Sequence, residues 1–280
     1  MASELKGAIH IVGGELPAVG KSVVSRLLCE WLGDGSGLVD ADPKQDAGCY
    51  FDNRLFCSSP PSLPEAAYWG DDILQFAIDG GLAVVNLPPH CWDEIQAWWQ
   101  AVELFDLASR EGIGLWLWWV AGANTESMEL FMQSVETYGS RMPHVLVKNR
   151  HLFNCWDVGE LSKWQEFWSK VESRPTFKDS QMRGELYSLE FPKLFWVEMQ
   201  RLSQDKIKFT TAINLKEPTG SPRAGCYKFF LISRSRYWRF VNKAFTATSA
   251  ILGEPPLLED VDYTEEYEDE QAVLVGDIPF

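Results

Sequence analysis

The sequence predicts an α/β fold in which a doubly wound, mostly parallel sheet is flanked by helices. Short apolar segments alternate with amphipathic segments, as strands alternate with helices around a parallel sheet. Several apolar segments lack polar alternation, which is typical of strands buried on both faces. Polar residues follow these segments at their carboxyl ends, where sheets of this kind bind ligands.

The predicted strands are short apolar runs, most of them bounded by glycine or proline. In chain order they cover residues 7–14, 35–43, 81–89, 112–123 and 143–150, with a late strand at 185–194. The run at 112–123 is the longest and is too short to span a bilayer. Because Trp118 and Trp119 lie on this central strand, we expect them in the core rather than on a partner surface.

The predicted helices show apolar residues at helical spacing. The first helix follows the first strand, where Val23, Val24, Leu27, Leu28 and Trp31 share one face. Further helical patterns cover residues 71–79, 91–112, 125–139, 195–205 and 221–251. The last predicted elements of the folded part are therefore helices.

Charge divides the chain into a body and a tail. The net charge is −15, and residues 254–280 hold ten acidic and no basic residues, which leaves −5 for residues 1–253. We expect one domain over 1–253 and an acidic, flexible tail over 254–280. Six cysteines without CxxC spacing and four histidines argue against a zinc cluster or a disulfide scaffold. With no secretion leader visible, we expect a cytoplasmic protein.

The segment "GGELPAVGKS", residues 13–22, follows the first strand and precedes a helix. "GKS" ends phosphate-binding loops, whose backbone N–H groups surround phosphate oxygens at a helix start. Lys21 would reach the β- and γ-phosphates, and Ser22 would ligate Mg²⁺. The loop residues predicted to bind the cofactor are Gly14, Val19, Gly20, Lys21, Ser22 and Val23.

Three further strand ends carry polar residues. The second strand ends in "DAD", the third in "NLPP" and the fifth in "KNR". Since the carboxyl ends of parallel strands share one edge of a sheet, we expect Asp40, Asp42, Asn86 and Asn149 near the loop.

The order of the loop, "LVDADP", "VVNLPP" and "VLVKN" resembles the ParA/MinD group of P-loop ATPases. The resemblance implies ATP and Mg²⁺ as cofactors and an ATP-sandwich homodimer. It implies that Asp40 lies near Mg²⁺, that Asp42 positions the attacking water and that Asn149 reads the adenine edge. Asn86 takes the place of an aspartate that holds Mg²⁺ through water. The implied catalytic residues are Lys21 and Asp42, and the implied metal residues are Ser22, Asp40 and Asn86.

Further segments resemble a subgroup, the TraL-like ATPases of conjugal transfer and plasmid mobilisation. These are "AIHIV", "CEWLG", "VDADPKQD", "VLVKNRHLF", "EFPKL", "IKFTTAIN" and the Arg-rich "SRSRYWRFVNKAF". The resemblance covers most of residues 8–251.

The loop departs from the family pattern, so its Walker A motif is deviant. Leu16 replaces the signature lysine that crosses to the partner's nucleotide. Glu15 replaces a glycine and would repel phosphates unless it points away, pairs with a base or meets Mg²⁺. Pro17 and Ala18 replace glycines, so we expect the loop to lack some of the family's left-handed turns. We expect nucleotide binding with slow or absent hydrolysis, because Leu16 supplies no charge to the transition state.

Three function classes fit these observations. The first is a dimerising ATPase switch that positions or transfers DNA or a protein cargo. The second is a degenerate P-loop scaffold without ATPase activity. The third is a small-molecule kinase, which lacks support because no phosphate-gripping arginine lid is visible. Calorimetry with ATP and Mg²⁺ separates the first two classes.

A basic segment at 223–243 contains six Lys and Arg residues and no acidic residue. The favoured interpretation is an amphipathic helix with a solvated basic face, which the acidic tail would cover. The alternative is non-specific contact with DNA phosphates through Arg234, Arg236 and Arg239.

Overall fold

Seven parallel strands form one sheet in the computed structural model, which describes residues 5–52, 54–56, 58–153, 157–214 and 231–253. The strand order is β3-β2-β4-β1-β5-β6-β7, and every neighbouring pair is parallel. The strands are β1 Gly7–Gly13, β2 Ser36–Asp40, β3 Arg54–Phe56, β4 Leu82–Asn86, β5 Ile113–Ala121, β6 His144–Asn149 and β7 Leu186–Phe191. The predicted parallel sheet is confirmed.

Helices cover both faces of this sheet. One core cluster packs α2 to α7 against one face, and a second packs α1 and α8 to α10 against the other. The helices are α1 Lys21–Leu32, α2 Asp71–Ile78, α3 Trp92–Ala101, α4 Leu104–Glu111, α5 Thr125–Tyr138, α6 Val158–Glu172, α7 Pro175–Met182, α8 Trp196–Asp205, α9 Phe209–Asn214 and α10 Leu231–Leu252. The arrangement is doubly wound, as predicted.

The central strand β5 supplies tryptophans to both cores. Trp118 and Trp119 are each 1% exposed and point to opposite faces. Their indole N–H groups donate to His10 Nδ1 and to Ser127 Oγ, each at 3.2 Å. The prediction that these tryptophans belong to the core is confirmed.

The segment 91–112 was predicted as one helix, and this prediction is wrong. Helix α3 ends at Ala101 and α4 begins at Leu104. Between them Glu103 has a φ of 49°, which is incompatible with a continuous right-handed helix. After this break, Leu104 and Ala108 of α4 are buried in the core.

Four of the strands and helices were not predicted, namely β3, α6, α7 and α9. Strand β3 has only three residues, too few to show a period. Helix α6 buries Trp164, Trp168 and Val171 among charged residues, and α7 follows it. The late strand at 185–194 and the helix at 195–205 are confirmed as β7 and α8.

Helix α10 is hydrogen-bonded to two neighbouring helices, α9 and α1. Arg234 Nε donates to the Ile213 carbonyl on α9 at 2.9 Å, and Trp31 on α1 donates to Ser249 Oγ at 3.2 Å. Residues 221–230 of the predicted helix and the predicted acidic tail at 254–280 lie outside the described residues. Within the described parts of the chain, no helix is long and apolar enough to cross a membrane.

Candidate functional site

The predicted site residues meet at one edge of the sheet, around the loop between β1 and α1. Strands β1, β4 and β2 are neighbours, and Asn86 pairs in register with both Val12 and Asp40. The loop therefore lies beside the ends of β2 and β4 on one side and of β5 and β6 on the other.

Lys21 is the first residue of α1 and is 5% exposed. Its ammonium donates to the carbonyls of Gly14 at 3.1 Å and Leu16 at 3.0 Å, so the side chain curls back under the loop. Burial lowers the pKa of Lys21, and the charges of Asp42 and Glu15 oppose this shift. An ammonium has three N–H donors, so one remains for a ligand.

Ser22, Asp40 and Asn86 form a hydrogen-bonded network beside the loop. The Asn86 amide nitrogen donates to Asp40 Oδ1 at 2.8 Å and to Ser22 Oγ at 3.3 Å. The Asn86 oxygen accepts from Ser25 Oγ at 3.2 Å. Asn86 therefore presents N–H groups rather than its oxygen to Asp40, since a flipped amide would set two oxygens face to face.

Asp40 is also held by backbone donors. Its Oδ2 accepts from the N–H groups of Ala47 at 3.0 Å and Gly48 at 2.6 Å, and its side chain is buried. Asp42, two residues on, is half-buried, and its Oδ1 accepts from the N–H of Lys44 at 3.0 Å. The structure brings Asp40 into contact with the network, whereas the role of Asp42 stays a prediction.

The loop takes left-handed turns despite its missing glycines. Gly14 and Gly20 have φ values of 131° and 99°, and Ala18 has a φ of 57°. Ala18 therefore adopts a left-handed conformation although it is not a glycine, at a modest energetic cost. At Gly14 a Cβ would lie 2.7 Å from the Val120 carbonyl oxygen, so only glycine fits there.

Asn149 ties the loop to the end of β6. Its amide nitrogen donates to the Val19 carbonyl at 2.7 Å, and its oxygen accepts from the His151 N–H at 3.0 Å. Both ends of the amide are thus engaged within the chain. Its predicted role at the adenine edge stays a prediction.

Two cavities flank the loop. A small one of about 70 Å³ adjoins Asn149 and has mainly apolar walls, which include Val23, Phe191, Leu194, Met199 and Phe240. A wider groove of about 530 Å³ lies between the loop, the ends of β5 and β6, and α6. Leu16, Val19, Leu152, Phe153, Trp164 and Phe167 supply its apolar surface.

Two residues of the site were missed in the sequence. Ser25 lies one helical turn after Ser22, so the i, i+3 spacing could have placed it on the same face. His90, in the connection from β4 to α3, has its Nδ1 3.3 Å from Glu15 Oε2. No local sequence signal indicates the contact between His90 and Glu15, because 75 residues separate them.

The predicted DNA-binding arginines of α10 have different environments. Arg234 donates to α9, and Arg236 Nη1 lies 2.6 Å from Oε1 of the buried Glu198 on α8. Arg239 is exposed and donates to Ser235 Oγ on its own helix. Two of the three side chains therefore hold helices together.

No protein-family model and no curated protein matches the chain. Among solved structures, an ATP complex of a substituted McdA from Cyanothece is similar, with a TM-score of 0.51 and 11% identity over 90% of this chain and 98% of that chain. Apo McdA from Cyanothece gives a TM-score of 0.45 and 11% identity over 88% of this chain and 99% of that chain. The first likeness shows the fold alone, a doubly wound α/β fold.

Proposed function

We propose that the chain binds ATP with Mg²⁺ at the loop between β1 and α1. The observation that carries the proposal is the convergence of Lys21, Ser22, Asp40 and Asn86 at one sheet edge. The chain shares its fold with an McdA structure that was solved with ATP, which supports the proposal. The backbone N–H groups at the start of α1 would bind phosphate oxygens.

The residues present fit a magnesium ion that is held together with a nucleotide. Mg²⁺ in such sites keeps several waters and takes one or two carboxylates plus phosphate oxygens. Ser22 Oγ and the Asp40 carboxylate supply the oxygen ligands, while Asn86 holds both side chains in place. When bound, the ion would neutralise phosphate charge that Lys21 alone cannot balance.

The proposed biological role is a ParA/MinD-like dimerising switch in the cytoplasm that positions or transfers DNA or a protein cargo, related to plasmid mobilisation and conjugation. Slow or absent hydrolysis follows from Leu16, which brings no cation to the transferred phosphate. Any contact with DNA would rely mainly on Arg239, because Arg234 and Arg236 already hold α9 and α8.

Isothermal calorimetry with Mg²⁺ and ATP tests nucleotide binding. We expect Lys21→Met to abolish measurable binding, because it removes the loop ammonium while keeping an unbranched side chain. The matched control is Lys170→Met on α6, whose ammonium pairs at the surface with Glu166. Equal binding by wild type and Lys21→Met would contradict the nucleotide site.

The alternative function is a scaffold built on a degenerate P-loop. One observation favours it: Lys21 and Asn149 both bond to carbonyl oxygens of the loop, so the loop is self-supported without a ligand. A wild-type protein that releases no heat with Mg²⁺ and ATP, yet unfolds cooperatively, would count against the ATP site and favour the alternative.

A further inference from the structure

The connection between β4 and α3 reaches the phosphate-binding loop through the pair of Glu15 and His90. The imidazole is 67% exposed and the carboxylate 20% exposed, so the pair lies at the rim of the site. Glu15 replaces a glycine of the standard loop, where a carboxylate would face incoming phosphates. In this structure one of its oxygens is instead next to a base.

The backbone fixes the position of His90. Pro88 and Pro89 precede it and restrict two φ angles. The buried Cys91 thiol donates to the Pro88 carbonyl at 3.3 Å, and the Cys91 carbonyl accepts from the Ile95 N–H where α3 begins. His90 itself has a φ of 57°, a left-handed conformation that is uncommon for a residue other than glycine.

The negative charge around the loop explains how this contact would affect nucleotide binding. Glu15, Asp40 and Asp42 lie at the same sheet edge, while the loop ammonium of Lys21 is committed to two carbonyls. Every unbalanced carboxylate here repels a polyphosphate. The imidazole of His90, 3.3 Å from Glu15 Oε2, orients this carboxylate and in its protonated form offsets its charge.

We propose that His90 is a positioning residue of the nucleotide site, which holds Glu15 at the rim and so raises the affinity for a triphosphate. This inference rests on the proposed function. In this proposal the loop accommodates the carboxylate of Glu15 because His90, in the connection between β4 and α3, lies against it.

The test is a double-mutant cycle on the full chain, with a non-hydrolysable ATP analogue and Mg²⁺ as the probe. We expect His90→Ala to weaken binding roughly two- to five-fold, the range of an exposed ion pair. Glu15→Gln should strengthen binding by a similar factor, and His90→Ala should have no effect in that background. His90→Lys should restore the affinity, whereas His90→Gln should restore less. Glu136→Gln, an exposed carboxylate on α5, is the control for net charge.

Equal effects of His90→Ala with and without Glu15 would overturn the inference, as would a His90→Ala variant with wild-type affinity. The four proteins of the cycle, which are the wild type, His90→Ala, Glu15→Gln and the double variant, are also unfolded in urea. A contact between the two side chains makes the effects of the two substitutions on stability non-additive. If the wild type binds no nucleotide, the proposed function fails, and the role in affinity fails with it. Non-additive urea unfolding would still establish the contact, and additive unfolding would refute it.

Discussion

At the scale of single residues, Asn86 is the feature that distinguishes this site, because an amide rather than a second carboxylate lies beside Asp40. Its amide donates to Asp40 and Ser22 and accepts from Ser25, so three side chains are satisfied through one residue. An aspartate at this position would accept only, and would set two carboxylates against each other in a buried place. The asparagine therefore stabilises this arrangement of side chains.

We predict that Asn86→Asp lowers the free energy of unfolding by about 3 kcal/mol, because it removes a buried donor and adds an unpaired charge. Urea unfolding at pH 7 measures the change. Mg²⁺ should recover part of the loss in Asn86→Asp and nothing in Asn86→Ala, which adds no charge. A variant as stable as the wild type without Mg²⁺ would contradict the assigned orientation of the amide.

At the scale of elements, the helices α8, α9 and α10 are joined by polar contacts as well as by the core. Tyr237 Oη donates to the Glu198 carbonyl at 3.0 Å, and Arg236 approaches the carboxylate of the same residue. The basic face predicted from the sequence is thus partly used inside the fold. A helix can look solvated in sequence while its arginines bind neighbours.

We predict that Arg236→Ala destabilises the protein by about 1–2 kcal/mol, since the buried carboxylate of Glu198 loses its nearest cation. Arg239→Ala, three residues on, should change stability by less than about 0.5 kcal/mol. Thermal unfolding of both variants measures this difference. Equal destabilisation would show that Arg236 contributes no more than an exposed arginine. Arg239→Ala is therefore the variant suited to tests of DNA retention.

The sequence predicted the elements that carry strong periodicity, and the strand ends that converge. Buried runs such as β4 and β5 are unmistakable, and polar residues at their ends indicated the site edge. It could not predict β3, because three residues show no period, nor the break at Glu103, which depends on packing. Contacts such as Asn149 with Val19 join residues 130 positions apart, and no local pattern encodes them.

At the scale of the whole molecule, two buried histidines connect stability to pH. His10 Nδ1 accepts from Trp118, and His144 lies between Ser134 Oγ and the Met142 carbonyl. Burial lowers the pKa of each imidazole to about 4. Both are therefore neutral in the folded protein at pH 5, whereas they bind protons in the unfolded chain, where the ordinary pKa is 6.5.

The sign of the effect follows from this difference. The stability is fully present above pH 6.5 and is lost as the pH falls toward 4, by about 3 kcal/mol for each histidine. We predict that His144→Gln and His10→Asn each make stability less dependent on pH in this window. Urea unfolding at pH 7, 6 and 5 measures the slopes. Slopes unchanged from the wild type would contradict the assignment.

We propose that Lys21, Ser22 and Asp40 form a magnesium nucleotide site, and the dependence of ATP affinity on Mg²⁺ is the decisive test of this proposal. Calorimetric titration of ATP into the wild type and Ser22→Ala, with Mg²⁺ and with a chelator, gives four affinities. We predict that Mg²⁺ tightens ATP binding to the wild type by about tenfold or more, because the ion offsets charge that Lys21 cannot balance alone. In Ser22→Ala most of this gain should disappear. The same affinity with Mg²⁺ and with chelator in the wild type would contradict the claim.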